Sequence, residues 1–141
     1  MSTPLQPNFA GIETASVVFA AMLIWLSAVI QHVSNVASRG AQYVMSDRSA
    51  PQDMTGFFGR ATRTLSNNLE SALMFVPLAL LCMLTGHSNA VTHLASAIYI
   101  GARSVFSLSY WFKIRTIRSV SWAAGMVCCV VMAYCAAMAI T

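Results

Sequence analysis

Residues 58–84 read FGRATRTLSNNLESALMFVPLALLCML, and this stretch decides the fold. Its second half, from Ser71 to Leu84, contains no charge. Its first half carries Arg60, Arg63, Asn67 and Glu70 at steps of three, four and three residues. At 100° per residue these four lie within roughly 80° of one helix face. A polar stripe therefore runs down one side of a helix whose far half belongs in lipid. The uncharged half is only about 21 Å long at 1.5 Å per residue, against a bilayer core of about 30 Å. To span, the helix must draw Asn67 and Glu70 below the interface. Ionisable groups at membrane depth are costly, and they mark a function by default.

The rest of the chain supports a membrane setting. It has 141 residues, 57% of them hydrophobic and 9% charged, too apolar for a soluble domain of this size. The length suits a single domain over residues 1–141. Apolar runs predict an all-α membrane protein with four spans, at about 14–36, 58–84, 90–112 and 120–140. Short second and third loops predict antiparallel packing of neighbouring helices into a four-helix bundle. The N-terminal tail lacks a basic region and the first span is long for a signal sequence, so that span is expected to remain as an anchor. Cys82, Cys128, Cys129 and Cys135 all fall inside spans and read as packing residues, with no metal-ligand spacing.

Charge placement predicts orientation. The basic residues are Arg39, Arg48, Arg60, Arg63, Arg103, Lys113, Arg115 and Arg118. All belong to the first loop, the third loop or the helix ends touching them. The positive-inside rule then places those loops in the cytoplasm and both termini outside, in an inner-membrane type of topology. The net charge of +4 follows from that topology and does not argue for nucleic acid. The first loop, about 37–57, is the long connection, broken by Gly40, Pro51 and Gly56. Trp25, Trp111 and Trp122 are candidates for an interfacial belt.

A second polar stripe lies on the third span, where Tyr99, Arg103, Ser107 and Tyr110 fall within roughly 80° of one face. Arg118 and Ser119 stand in the first turn of the fourth. Four arginines thus face Glu70 and Asn67 at about one depth, a set too basic to satisfy itself. The expected partner is an anion with more than one carboxylate, which the arginine fork binds well. Each residue also has a structural reading. Arg60 and Arg63 can snorkel to headgroups, Glu70 and Arg103 can form an ion pair, and Asn67 can hold helices together. Glu13 reads as a solvated helix start, and His32, His87 and His93 have no metal-ligand partner. No Ser-His-Asp set, phosphate loop or carboxylate pair is present.

The run Arg60-Ala-Thr-Arg63 followed by Asn67 and Glu70 resembles the R-x-x-R-x-x-x-N-x-x-E signature of the MAPEG family (membrane-associated proteins in eicosanoid and glutathione metabolism). Arg103, Tyr110 and the Arg118-Ser119 pair recur in the order and rough spacing of that family's third and fourth helices. The resemblance covers nearly the whole chain and is closest to the short bacterial type. It implies a homotrimer with glutathione as co-substrate between subunits, near the cytoplasmic side. By position, Arg63, Asn67, Glu70, Arg103 and Tyr110 would hold glutathione, with Arg60 near the mouth. Arg118 would stand at its sulfur, with Ser119 either bonding the sulfur or packing. Arg39 is a further basic contact that no motif fixes. Ser66 and Phe106 depart from the pattern of the eicosanoid-making members and weaken any claim to a specific eicosanoid activity.

Three functions follow as expectations. The first is a glutathione-dependent membrane transferase or peroxidase acting on a hydrophobic small molecule that arrives through lipid. A guanidinium beside a thiol favours the thiolate, which is the nucleophile. The second is a small four-helix transporter, which would need a proton-cycling carboxylate in the membrane. The third is a non-catalytic protein that binds an anionic lipid or small anion.

Overall fold

The computed structural model describes residues 11–47 and 53–138. Among the described residues five helices follow in chain order: α1 (Ile12–Arg39), α2 (Ala41–Val44), α3 (Gly56–Leu84), α4 (Ala90–Trp111) and α5 (Arg115–Met138). No strand occurs among the described residues. The expected first loop holds the short α2, and α1 runs on to Arg39 before Gly40, at φ 81°, breaks it. Arg48, Pro51 and the expected end of the last span at Ile140 lie outside the described residues.

Among the described residues three helices, α1, α3 and α5, are long and apolar enough to cross a membrane. The expected third span corresponds to α4, which at 22 residues has the length but is not among the three. Ser96, Arg103, Ser104, Ser107 and Ser109 dilute its apolar content.

Each junction has a local cause. At the end of α3, Gly86 takes φ 70°. Its N–H donates to Met83 O (3.3 Å) while His87 N–H donates to Cys82 O (2.9 Å), so two of the orphan carbonyls of the last turn are satisfied. α4 then opens on a capping box. Asn89 Oδ1 accepts from Val91 N–H (2.8 Å) and Thr92 N–H (3.2 Å), and Thr92 Oγ1 accepts from Asn89 N–H (2.9 Å). Pro77 sits within α3 on its exposed flank, and the helix continues through it.

Packing follows from small residues. α1 lies chiefly beside α3, and α4 beside α5, with α3 against α5, α1 against α4 and α3 against α4 completing the packing. Ala20, Ala72, Ala79 and Ala95 are buried at the contacts and let backbones approach. Phe75 and Tyr99 stack at 3.7 Å with planes 7° apart, and the Tyr99 hydroxyl hydrogen-bonds Ser71 Oγ at 3.1 Å. The outward faces carry large exposed apolar side chains such as Val18, Trp25, Leu73, Leu94 and Val130, as suits helices whose solvent is lipid.

One expectation is corrected at the end far from the arginines. Glu13 is no solvated helix start, for it is 2% exposed. Thr92 Oγ1 donates to its carboxylate at 2.6 Å, and His93 Nε2 lies 3.1 Å from its other oxygen. The reason is the side-by-side placement of the α1 and α4 N-termini. The same threonine that caps α4 meets the acid in the first turn of α1. Nearby, Thr14 Oγ1 donates to Met83 Sδ at 3.4 Å, tying α1 to the end of α3. Replacing Glu13 by Ala is expected to cost about 1–3 kcal/mol, because a buried hydroxyl and a helix junction lose their partner. Thermal unfolding in detergent should show the loss, with Glu13→Gln intermediate.

Candidate functional site

The site forms where the α4–α5 turn meets the head of α3. The turn is tight. Lys113 N–H donates to Tyr110 O (3.3 Å), and Ile114 N–H donates to Ser109 O (2.8 Å). This repeats the device that ends α3, with one difference: the left-handed position, at φ 66°, is held by Lys113 rather than by glycine. A side chain in that conformation costs of order 1 kcal/mol. The turn carries Lys113, Arg115 and Arg118 to face Arg60 and Arg63 across a cavity of about 390 Å³. Gly56, Ser109, Tyr110 and Ile114 complete its wall, and none of the lining residues is acidic.

The α3 arginines are anchored through backbone carbonyls. Arg60 Nε donates to Trp111 O (3.3 Å) and Arg60 Nη1 to Gly56 O (3.1 Å). Arg63 Nη1 donates to Met54 O (3.2 Å). Such bonds orient the guanidinium groups without neutralising them. Met54 can come this close because Gly59 has no side chain; a Cβ there would sit 1.7 Å from the Met54 carbonyl oxygen. The approach is fixed by Asp53, whose carboxylate accepts from both the N–H and the hydroxyl of Thr55, each at 2.9 Å. Those bonds hold the Asp53 carboxyl below the usual range, so it is ionised at neutral pH.

A second cavity, of about 490 Å³, adjoins the first and shares Tyr110 and Arg118 with it. Its other walls are Asn67, Phe106, Ser119, Trp122 and Ala123. Arg118 lies over the Tyr110 ring, 4.9 Å from its centroid, and so stands between the two spaces. Ser119 faces this second cavity, and its hydroxyl donates back to Arg115 O at 3.2 Å. Neither lining includes a cysteine, a histidine or a carboxylate.

The structure divides the predicted residues. Arg60, Arg63, Asn67, Tyr110, Arg118 and Ser119 line the paired cavities. Arg103 does not. It is 1% exposed, inside the helix packing, over the Phe106 ring at 4.3 Å. Its Nη2 donates to Asn67 Oδ1 (3.0 Å) and to Asn68 Oδ1. The ion pair between Glu70 and Arg103 that the structural reading allowed is absent among the described residues, because Glu70 faces outward from α3, one turn beyond Asn67. Arg39 lines a separate and larger cavity, of about 740 Å³, on the other flank of the α3 head. Its guanidinium lies over Tyr43 at 4.7 Å. Trp111 is half-buried, and Trp122 is a cavity wall.

The sequence model of the MAPEG family matches residues 12–138. The chain belongs to the MAPEG family. No curated protein and no solved structure matches it. With its three apolar helices, this MAPEG chain is an integral membrane protein.

Sequence reasoning did not assign Asn68, Lys113 or Arg115 to the site. The two cations were visible but had been counted only for orientation; their inward turn depends on the left-handed residue. Asn68 carried a signal of its own, since consecutive residues point about 100° apart and the amide beside Asn67 therefore reaches toward a different neighbour.

Lys113→Gly separates charge from strain. It is expected to raise stability by about 1 kcal/mol by relieving the left-handed side chain, while weakening the binding of anions in the cleft. Thermal unfolding and titration calorimetry on the same sample would read both effects.

Proposed function

We propose that this MAPEG protein binds glutathione in the basic cleft and acts as a membrane transferase or peroxidase on hydrophobic electrophiles. The observation that carries the reading is the pair of joined cavities: one walled by five cationic side chains and no acid, the other walled by Phe106, Trp122 and Ala123, with Arg118 between.

The residues fit such a co-substrate in their chemistry. Arg60, Arg63, Lys113 and Arg115 offer forks and point charges for two carboxylates. Glu70, on the flank beyond Asn67, is the available carboxylate for an ammonium. Because it faces out of its own subunit, the reading includes a homotrimer in which that flank borders a neighbour. It also includes α4 as the fourth span of a four-helix bundle, termini outside, and the basic end at the cytoplasmic face.

Bound glutathione would supply the thiol that attacks the electrophile. Arg118 favours its ionised form, and a thiol of ordinary pKa, near 8.5, needs such help at neutral pH. Each pKa unit of depression corresponds to about 1.4 kcal/mol. Tyr110 and the Phe106–Trp122 wall exclude water from the side facing lipid. Ser119 stands close enough in sequence to Arg118 to share its cavity, and its hydroxyl can turn from Arg115 O toward a ligand.

A second reading, binding of an anionic lipid headgroup without catalysis, is favoured by the exposure of Arg63, Lys113 and Arg115 at the rim. The transporter reading has less support, because Glu13 is committed to Thr92 and His93 at a helix end.

Titration calorimetry of the purified protein with glutathione tests the proposal, alongside the ultraviolet absorbance of the thiolate. The wild type is expected to bind and to show the thiolate band, and Arg118→Ala to bind while losing it. Absent glutathione binding with retained binding of vesicles containing anionic lipid would favour the second reading. Dye uptake coupled to a proton gradient would favour transport.

A further inference from the structure

The buried guanidinium of Arg103 has no contacting carboxylate. Arginine stays protonated in proteins, so a full positive charge lies inside the helix packing. Its position is over-determined. Gly125 of α5 leaves room for it, since a Cβ there would lie 3.3 Å from Arg103 Cδ. The Phe106 ring lies against its other side at 4.3 Å. Its contacts through Nη2 are two neutral amide oxygens, of Asn67 and Asn68, and its Nε has no hydrogen-bond partner. Glu70 acts on it only from a distance, without an ion pair.

The two amides differ in what their other ends do. Asn68 Nδ2 donates to Ser27 Oγ (2.8 Å) on α1 and to Ser107 Oγ (3.1 Å) on α4, so its orientation is fixed with the oxygen toward Arg103. Asn67 also turns its oxygen to Arg103, and its Nδ2 makes no hydrogen bond among the described residues. Asn67 lines the cavity shared with Arg118 and Tyr110. With one lone pair of its oxygen engaged by the guanidinium, the Asn67 amide keeps both N–H donors free for that cavity.

We infer that Asn68, acting through Arg103, makes this cavity selective for an anion over a neutral ligand of the same shape. Being a neutral acceptor, Asn68 holds the guanidinium in place without cancelling its charge. That charge reaches the cavity across one side-chain amide and fixes the Asn67 N–H groups as its donors. Asn68 is a positioning residue and touches no ligand. The inference deepens the proposed function and rests on a ligand occupying the cavity beside Asn67.

Asn68→Asp is the test. The side chain keeps its shape, the two serine hydroxyls can turn to donate to it, and Arg103 acquires a contacting carboxylate. Affinities of the full-length protein in detergent are measured for glutathione sulfonate, charged at the sulfur, and for S-methylglutathione, neutral there. The ratio of the two is expected to fall by about fivefold to tenfold in Asn68→Asp, with thermal stability equal to or above that of the wild type. Asn68→Ser keeps a neutral acceptor and is expected to retain most of the wild-type ratio. Should Asn68→Asp not fold, Ser107→Asp, which sets a carboxylate beside Asn68, makes the same comparison. An unchanged ratio in the aspartate variant overturns the inference and leaves the glutathione reading standing. If the wild type binds neither glutathione compound, sulfate becomes the probe. Sulfate binding weakened by Asn68→Asp upholds the inference and removes glutathione; sulfate binding unaffected by it, or no binding at all, overturns both.

Discussion

A single positive charge inside the protein organises the basic half of this molecule. Arg103 reaches from α4 to α3 and is gripped there by two adjacent amides. In a low-dielectric interior an ion without a counter-ion is expensive, and hydrogen bonds to neutral oxygens repay only part of the cost. The packing therefore has to compensate around it: a glycine on α5 where the stem passes, an aromatic face on α4, and two serines that lock Asn68. The neighbouring cavity, walled by Asn67 and Arg118, lies one side-chain amide away from that charge.

The two ends of the molecule solve the same problem in opposite ways. At one end Glu13 is buried but fully engaged, by the threonine that also caps α4 and by a half-exposed histidine. Both carboxylate oxygens have a partner, and the result is a structural clasp. At the other end Arg60, Arg63, Lys113, Arg115 and Arg118 surround one space, and the contacts of Arg60, Arg63 and Arg118 are backbone carbonyls and rings. Nothing in that wall cancels them. The left-handed Lys113 belongs to the same design, since a glycine would make the turn at lower cost but would carry no charge.

Much of this was legible in the chain. The spacing of Arg60, Arg63, Asn67 and Glu70 was enough to define a face, and apolar runs were enough to define the long helices. The stripe on α3 proved to be a border: Arg60 and Asn67 half-buried, Arg63 and Glu70 exposed, Asn68 inside. Periodicity identifies neighbours on a helix, but not which side of the stripe meets the partner helix. The same ambiguity made Glu70 look like the partner of Arg103. Glu13 was misread for a related reason: a carboxylate in a first turn is ordinarily solvated, and only the placement of α4 beside it removes the water.

The sequence by itself pointed to membrane character, to the family and to the approximate bounds of the four long helices, because each depends on local composition, period or spacing. Tertiary structure decided which charges share a space. Arg103 was drawn into the interior and Lys113 and Arg115 were turned to face α3, because hydrogen bonds between elements and one left-handed turn set those directions. Such relations join residues far apart in the chain, and no helical period along one segment can encode them.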